Sequence, residues 1–238
     1  MNIVVTGGTS GIGRALAELC VRKGHKTGVT GRRGELLEEI RAASGGKIET
    51  AEMDVTDCGR ARLQLLELVK RMGGADIIVL NAGAGRLNPR LDWDEERKVI
   101  ETNTLGFAAT ALAAYKYFAD KGGGHIAGIS SVAGLRGSSR APAYSASKAF
   151  VSNYLEGLRF HAAYLGLPIT VTDVRPGFVR TAMTKPLKNV FWMSEPDEAA
   201  RQIYTALLKK KKCAYVTRRW RLAACLLQNL PDFIYERF

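Results

Sequence analysis

Two stretches of the chain carry a tyrosine and a lysine four residues apart, Tyr117-Phe-Ala-Asp-Lys121 and Tyr144-Ser-Ala-Ser-Lys148. On a helix that spacing puts both side chains on one face. The pairing has a chemical use. Reducing a ketone needs a proton for the oxygen as hydride reaches the carbon, and oxidising an alcohol needs the reverse. A phenol can serve, although its reference pKa of about 10 is high for base catalysis near neutrality. A nearby ammonium favours tyrosinate, as does the positive nicotinamide of an oxidised cofactor. Spacing alone does not choose between the copies. The Tyr117 pair carries bulky Phe118, stands just before Gly122-Gly-Gly124 and has no upstream serine pair, so it reads as an ordinary surface helix end. Around Tyr144 the spacers are small enough for a cofactor ribose to lie against the helix. Ser131, thirteen residues earlier, ends a strand-like run, where its hydroxyl can polarise a substrate oxygen. Ser130 competes for that role, and the spacing favours Ser131.

A second constellation is Thr6-Gly-Gly-Thr-Ser-Gly-Ile-Gly13. Glycines at 7, 11 and 13 permit a tight turn and close backbone approach to a pyrophosphate, with Thr9, Ser10 and Ile12 completing the loop at a helix N-terminus. The spacing is G-x-x-x-G-x-G, not the commoner G-x-G-x-x-G. Which dinucleotide fits is read from the end of the second strand, where an NAD enzyme usually places a carboxylate. Here Thr30-Gly-Arg-Arg-Gly34 has no acid before Glu35. A guanidinium binds a 2′-phosphate that a carboxylate would repel, so the expected cofactor is NADP(H), with Arg32 on the phosphate and Arg33 stacking or assisting. Asp54-Val55 follows the third strand; Asp54 is read as an adenine contact, or else as the cap of the next helix, for which Thr56 and Asp57 also qualify. Asn81-Ala82-Gly83 supplies small residues where the cofactor passes the fourth strand, with the Asn81 side chain able to brace the loop instead.

These residues need elements to position them. Strand patterns fall at 2–6, 26–30, 48–53, 76–80, 124–129, 169–175 and 213–217, alternating with helical patterns at 11–23, 35–43, 57–71, 95–121, 143–165 and 196–210. Apolar runs such as Ile77-Ile-Val-Leu80 suit strands covered on both faces. Strict alternation predicts a Rossmann-like, doubly wound α/β fold with a parallel sheet of about seven strands. In such sheets the ligand sits beyond the carboxyl ends of the strands. The suggestive segments fall at four such ends: Thr6–Gly13, Asn81–Gly83, Ser130-Ser131 and Pro176-Gly177. Residues 1–217 are read as one dinucleotide-binding catalytic domain, and 218–238 as a basic, amphipathic extension of it.

This ordered set resembles the short-chain dehydrogenase/reductase family, in its compact single-domain branch, over about residues 2–217. The motifs are Thr6–Gly13, Asp54, Asn81–Gly83, Asn103, Ile129-Ser-Ser131, Tyr144/Lys148 and Pro176-Gly177. The resemblance implies that Tyr144 is the acid/base, that Lys148 binds the nicotinamide ribose and lowers the tyrosine pKa, and that Ser131 orients the carbonyl. It further implies that Asn103 holds the water of a proton relay; from chemistry alone a mid-helix Asn could simply satisfy a buried backbone group. Pro176-Gly-Phe-Val-Arg-Thr181 resembles the family's nicotinamide-side loop, with Val179 and Thr181 near the carboxamide. A homodimer or homotetramer, through the helices carrying Asn103 and Tyr144, is implied as well.

Composition bounds the rest. The chain has 238 residues, 46% of them hydrophobic, and a net charge of +12. No apolar run approaches the ~20 residues a membrane span requires. Met1 is followed at once by a strand-like run, so no signal or transit peptide is expected. Cys20, Cys58, Cys213 and Cys225 are scattered, which fits reduced thiols in a cytoplasmic protein and no metal site. From Lys209 onward eight basic residues face two acidic ones, about half the net charge. No nucleic-acid module accompanies them. Basic residues beside Trp220, Leu222 and Phe233 fit either peripheral contact with an anionic membrane or a helix covering protein. The segment from Ala182 to Ser194, with Met183, Val190, Phe191, Trp192 and Met193, is read as a lid over a hydrophobic carbonyl or alcohol substrate, or as one packing on its own domain. A catalytically idle cofactor-binding sensor is the rival function; a pure binder has no need of the serine–tyrosine–lysine set.

Overall fold

A computed structural model of the chain describes residues 1–185 and 191–235. Val190 and residues 236–238, which belong to the lid and tail readings, lie outside these.

Seven strands, β1 (Asn2–Val5), β2 (Lys26–Gly31), β3 (Ile48–Glu52), β4 (Ile77–Leu80), β5 (Gly124–Ile129), β6 (Ile169–Pro176) and β7 (Cys213–Val216), form one sheet in the order β3-β2-β1-β4-β5-β6-β7. Every pairing is parallel. The order reverses between β1 and β4, and this is where a ligand crevice opens in a doubly wound sheet. Alternate strand residues go to opposite faces and both faces are covered. Val4, Ile78 and Ile126 pack under α3 (Cys58–Arg71), α5 (Phe107–Lys121) and α6 (Pro142–Tyr164), against Leu65, Phe118 and Leu155. Ile3, Val79 and Ala127 pack on the other side under α1 (Gly11–Arg22), α2 (Gly34–Ala43) and α7 (Pro196–Leu208), against Leu16, Ile40 and Ile203.

The expected strands and helices form within a few residues of their sequence limits, with one exception. The helix expected over 95–121 is broken into α4 (Trp93–Ile100) and α5 by a wide π turn, Glu101–Gly106. Such turns insert one residue and commonly occur at functional sites. Here it points Asn103 away from solvent and toward the loop after β4. Gly106 belongs to the same device: a Cβ there would sit 2.6 Å from the Val55 carbonyl oxygen.

Beyond β7 the chain forms α8 (Trp220–Asn229) and a single turn, α9 (Asp232–Tyr235). Trp220 is buried against Gly177, where any side chain would collide with the indole, and meets Phe178, Phe191 and Trp192. Arg136 clamps the far end, donating to the carbonyls of Leu227 (3.2 Å) and Leu230 (2.7 Å) and stacking on Tyr235. The tail thus covers its own domain on one side. Its other side leaves Leu222 78% and Leu226 66% exposed. Among the described residues no helix is long and apolar enough to cross a membrane, and no cluster of metal-ligating side chains occurs.

Candidate active site

The carboxyl ends of β1, β4, β5 and β6 open into one cleft of about 680 Å³. Its floor is the turn after β1. Gly7 (φ +64°) and Gly11 (φ +57°) take left-handed conformations, and a Cβ on Gly7 would lie 2.6 Å from the Ala82 Cα. Thr6 ties the turn to the loop after β4, its hydroxyl accepting from the amides of Asn81 (3.1 Å) and Ala82 (3.2 Å). Ser10 precedes α1 without capping it, and no acidic residue stands in the first helical turn, so free amides and the positive helix end face the cleft. Thr9, Ser10, Gly11 and Ile12 line it. Gly13 does not; it packs beneath, where a side chain would collide with Asn81. The Asn81 amide braces the turn, donating to the carbonyls of Thr6 (3.1 Å) and Gly7 (2.9 Å).

Arg32 and Arg33 line the same cleft beyond β2. The Arg33 guanidinium bonds the hydroxyls of Thr9 (3.0 Å) and Ser10 (3.2 Å), joining the basic pair to the glycine turn. Arg32 is mostly exposed, 3.9 Å from Asp54. Asp54 and Val55 form the wall after β3. Asp54 does not cap α3: its carboxylate accepts from the amide and hydroxyl of Thr56, and Asp57 is the cap, accepting from the Arg60 amide (3.1 Å).

At the other end of the cleft stand Ser131, Tyr144 and Lys148, with Ala82, Gly83, Pro176, Gly177, Val179 and Thr181 around them. Tyr144 and Lys148 occupy the first two turns of α6, which opens on Pro142, a residue suited to that position. Lys148 is buried and donates to the Ile129 carbonyl (2.8 Å), with its ammonium 5.8 Å from the centre of the Tyr144 ring. Burial drives the lysine down to about 8, against an opposing pull from Asp173. Burial also raises the Tyr144 phenol, while interaction with the Ser131 hydroxyl works the other way. The net direction is upward. In the free protein the tyrosine therefore rests as the neutral phenol, the form that gives a proton. Ser130 and Ser131 both line the cleft but are bonded differently: the Ser130 hydroxyl donates to Asp173, whereas Ser131 opens the Val132–Leu135 turn, accepts from the Ala133 amide (3.1 Å) and donates to the Pro176 carbonyl (3.3 Å).

Asn103 lies behind the cleft rather than in its wall. Its side chain accepts from the Ala84 amide (2.7 Å) and donates to the Ala84 carbonyl (2.7 Å) and the Ser147 hydroxyl (3.0 Å). These bonds lock the loop after β4 to α6. The Tyr117/Lys121 copy stays outside the cleft and is more than a plain surface end. Tyr117 accepts from the Ala75 amide (2.9 Å) and Lys121 donates to the Ala75 carbonyl (2.6 Å), fixing the approach to β4.

Sequence reading missed two glycines that shape the site. A side chain on Gly85 would strike the Tyr144 ring at 2.8 Å, and one on Gly134 would strike the Lys148 backbone at 2.6 Å. Their signal was present, a glycine shortly after each strand end, but the close approach is tertiary. Met183 and Thr184 of the wall were also missed as a pair facing the cleft.

A family model described as short chain dehydrogenase matches residues 1–190. This chain belongs to the short-chain dehydrogenase/reductase family. Within that family, an uncharacterized oxidoreductase of Myxococcus xanthus is 39% identical over 186 residues, 76% of this chain and 73% of that protein. Among solved structures, a serine dehydrogenase complexed with NADP+ matches with a TM-score of 0.79 at 26% identity, over 90% of this chain and 94% of its own. A Burkholderia phymatum short-chain dehydrogenase/reductase in complex with NAD shares the fold, with a TM-score of 0.83 at 20% identity over 94% of this chain and 92% of its own. The chain is an oxidoreductase of this family, and its glycine cradle, free helix amides and long cleft fit a nicotinamide dinucleotide.

Proposed function

We propose that the protein is a cytoplasmic, NADP(H)-dependent reductase of carbonyl groups on hydrophobic molecules, run by Tyr144, Ser131 and Lys148. The observation that carries this reading is the meeting, in one cleft, of the serine–tyrosine–lysine set with a phosphate turn flanked by two arginines and no carboxylate at the end of β2. The turn from Gly7 to Gly13 would hold the pyrophosphate, Arg32 and Arg33 the 2′-phosphate, Asp54 and Val55 the adenine side, and Asn81–Gly83 the nearer ribose. Pro176, Gly177, Val179 and Thr181 would border the nicotinamide. When bound, the cofactor supplies or accepts hydride.

The chain's own residues do the rest. Ser131 donates a hydrogen bond to the substrate carbonyl oxygen and polarises it. Tyr144, held as the neutral phenol, delivers its proton to that oxygen as the carbon is reduced, so that carbonyl, hydride and proton sum to the alcohol. Lys148 holds ribose hydroxyls and, as a cation, stabilises the tyrosinate left behind. Asn103 sets the loop and the start of the helix that frame these groups, and would hold a relay water behind Lys148. Met183 in the cleft wall and Phe191, 62% exposed beside Trp220, suit an apolar substrate.

The test is loss of nicotinamide absorbance with a panel of ketones and aldehydes, comparing NADPH with NADH. Arg32→Asp should move the ratio of kcat/KM toward NADH by at least about tenfold, since a charge-assisted bond is worth ~1.5–3 kcal/mol. An unmoved preference would remove Arg32 from the phosphate site.

Residues 1–217 would then be the catalytic domain and 218–238 its extension. The extension has a second role in this reading. Its exposed Leu222 and Leu226, next to Arg218, Arg219, Arg221 and the exposed Phe191, suit peripheral contact with an anionic membrane surface. Assembly as a homodimer or homotetramer would use α5 and α6, whose outer faces carry Leu112, Phe150 and Phe160.

A further inference from the structure

A buried ionic group lies beneath the proposed site and has no part in the chemistry described above. Asp173, in mid-β6, is 4% exposed in its side chain, and its carboxylate takes the Arg175 guanidinium at 2.6 Å. The Ser130 hydroxyl donates to the same carboxylate. Both charged residues share the sheet face of Val171, the face covered by α6, because side chains two apart on a strand point the same way. Arg175 continues toward the outer edge, where its side chain is 22% exposed and meets the Tyr215 hydroxyl (3.2 Å). The pair is therefore a dipole across β6, with its negative end inward. On that inward side, Ser130 follows Ile129, whose carbonyl accepts from Lys148.

A buried pair of this kind is costly to build: desolvation offsets much of the attraction, and apolar residues in its place are often as stable or more so. An acid and a base in the strand Ile169-Thr-Val-Thr-Asp-Val-Arg175, whose other residues are uncharged, need a use beyond stability. We propose that Asp173 is a positioning residue whose carboxylate, held inward by Ser130 and Arg175, keeps the buried Lys148 in its ammonium form. The need is physical. Lys148 sits where burial brings it down to about 8, and the carboxylate is the group that opposes this. Among the described residues, Tyr144 from its own helix and Asp173 from β6 are the titratable or charged groups beside it, with Arg175 beyond Asp173 toward the outer edge. β5, the Val132–Leu135 turn, the loop after β4 and the π turn offer the neutral Ile129, Ser131, Gly83 and Asn103. The purpose of the device rests on the reductase reading, since a cationic Lys148 matters to that reaction. Its existence can be tested without turnover.

The experiment is carbon-13 NMR of the full chain labelled at lysine Cε, with the Lys148 signal identified by its loss in Lys148→Arg and followed through a pH titration. Asp173→Asn keeps shape and hydrogen bonding but removes the charge, leaving Arg175 uncompensated. The Lys148 midpoint should then fall by about one unit or more. Mere loosening of the site would admit water and move it up, toward an ordinary lysine, so the sign separates the two. A midpoint that stays or rises in Asp173→Asn overturns the proposal. Asp173→Glu, which keeps the negative charge, gives a second arm: its midpoint should stay near that of the parent protein. A fall in Asp173→Glu as large as in Asp173→Asn also overturns it. Either failure would leave the assignment of Tyr144 untouched.

Discussion

At the residue scale the site depends on a lysine placed where lysines are costly. Lys148 is buried and held near 8 against 10.5 for an ordinary lysine. Between those values the unfolded chain keeps a proton that the folded one has released, so stability from this group rises with pH across that window and its cost is complete below about 8. That cost is about 3 kcal/mol. Lys148→Met should remove it while leaving the Ile129 carbonyl without its donor, worth ~1–3 kcal/mol the other way. We expect a net gain in denaturant midpoint at pH 7 that disappears above the ordinary lysine range, together with loss of activity. A variant less stable than the parent at both pH values would show that Lys148 is not under strain. For the same reason, reduction by the intact protein should decline as pH rises through about 8 and Lys148 loses its charge, read from kcat/KM against pH.

At the element scale, strands and most helices were legible because their apolar periods are local. The continuous apolar runs along β1 and β4 and the capping signal at Asp57 require nothing from elsewhere in the chain. The π turn at Glu101–Gly106 was not legible, because the apolar spacing of 95–121 averages over one inserted residue. What holds the turn open is the bonding of Asn103 to Ala84 and Ser147, from distant parts of the sequence. Asp173 was passed over for a related reason: a lone acid in a strand acquires meaning only through Ser130, Arg175 and Lys148. The meeting of Ser131, Tyr144 and Lys148 in one cleft was readable, since Ser131 and the small spacers around Tyr144 separate that pair from Tyr117/Lys121. The tail is held largely by one side chain. Trp220→Ala empties the seat against Gly177 at a local cost of about 3 kcal/mol. Hydrogen exchange should then become fast in α8 while α6 keeps its protection. Unchanged protection in α8 would mean that the Arg136 clamp alone suffices.

At the scale of the whole molecule, about half of the net charge of +12 lies from Lys209 onward, and the described part of the tail carries exposed Arg218, Arg219 and Arg221 beside exposed Leu222 and Leu226. Vesicles containing phosphatidylglycerol should pellet the protein, less so as salt rises toward the point where screening is short-ranged. Leu222→Asp/Leu226→Asp, which spares buried Trp220 and Ala224, should lower the pelleted fraction severalfold. Equal pelleting would exclude this face as the contact. The central claim concerns a proton, and Tyr144→Phe removes that proton while leaving the ring. Measured beside NADPH affinity, carbonyl reduction by this variant should fall by at least about 100-fold, with cofactor binding kept within about twofold. Turnover close to that of the parent protein would contradict the account.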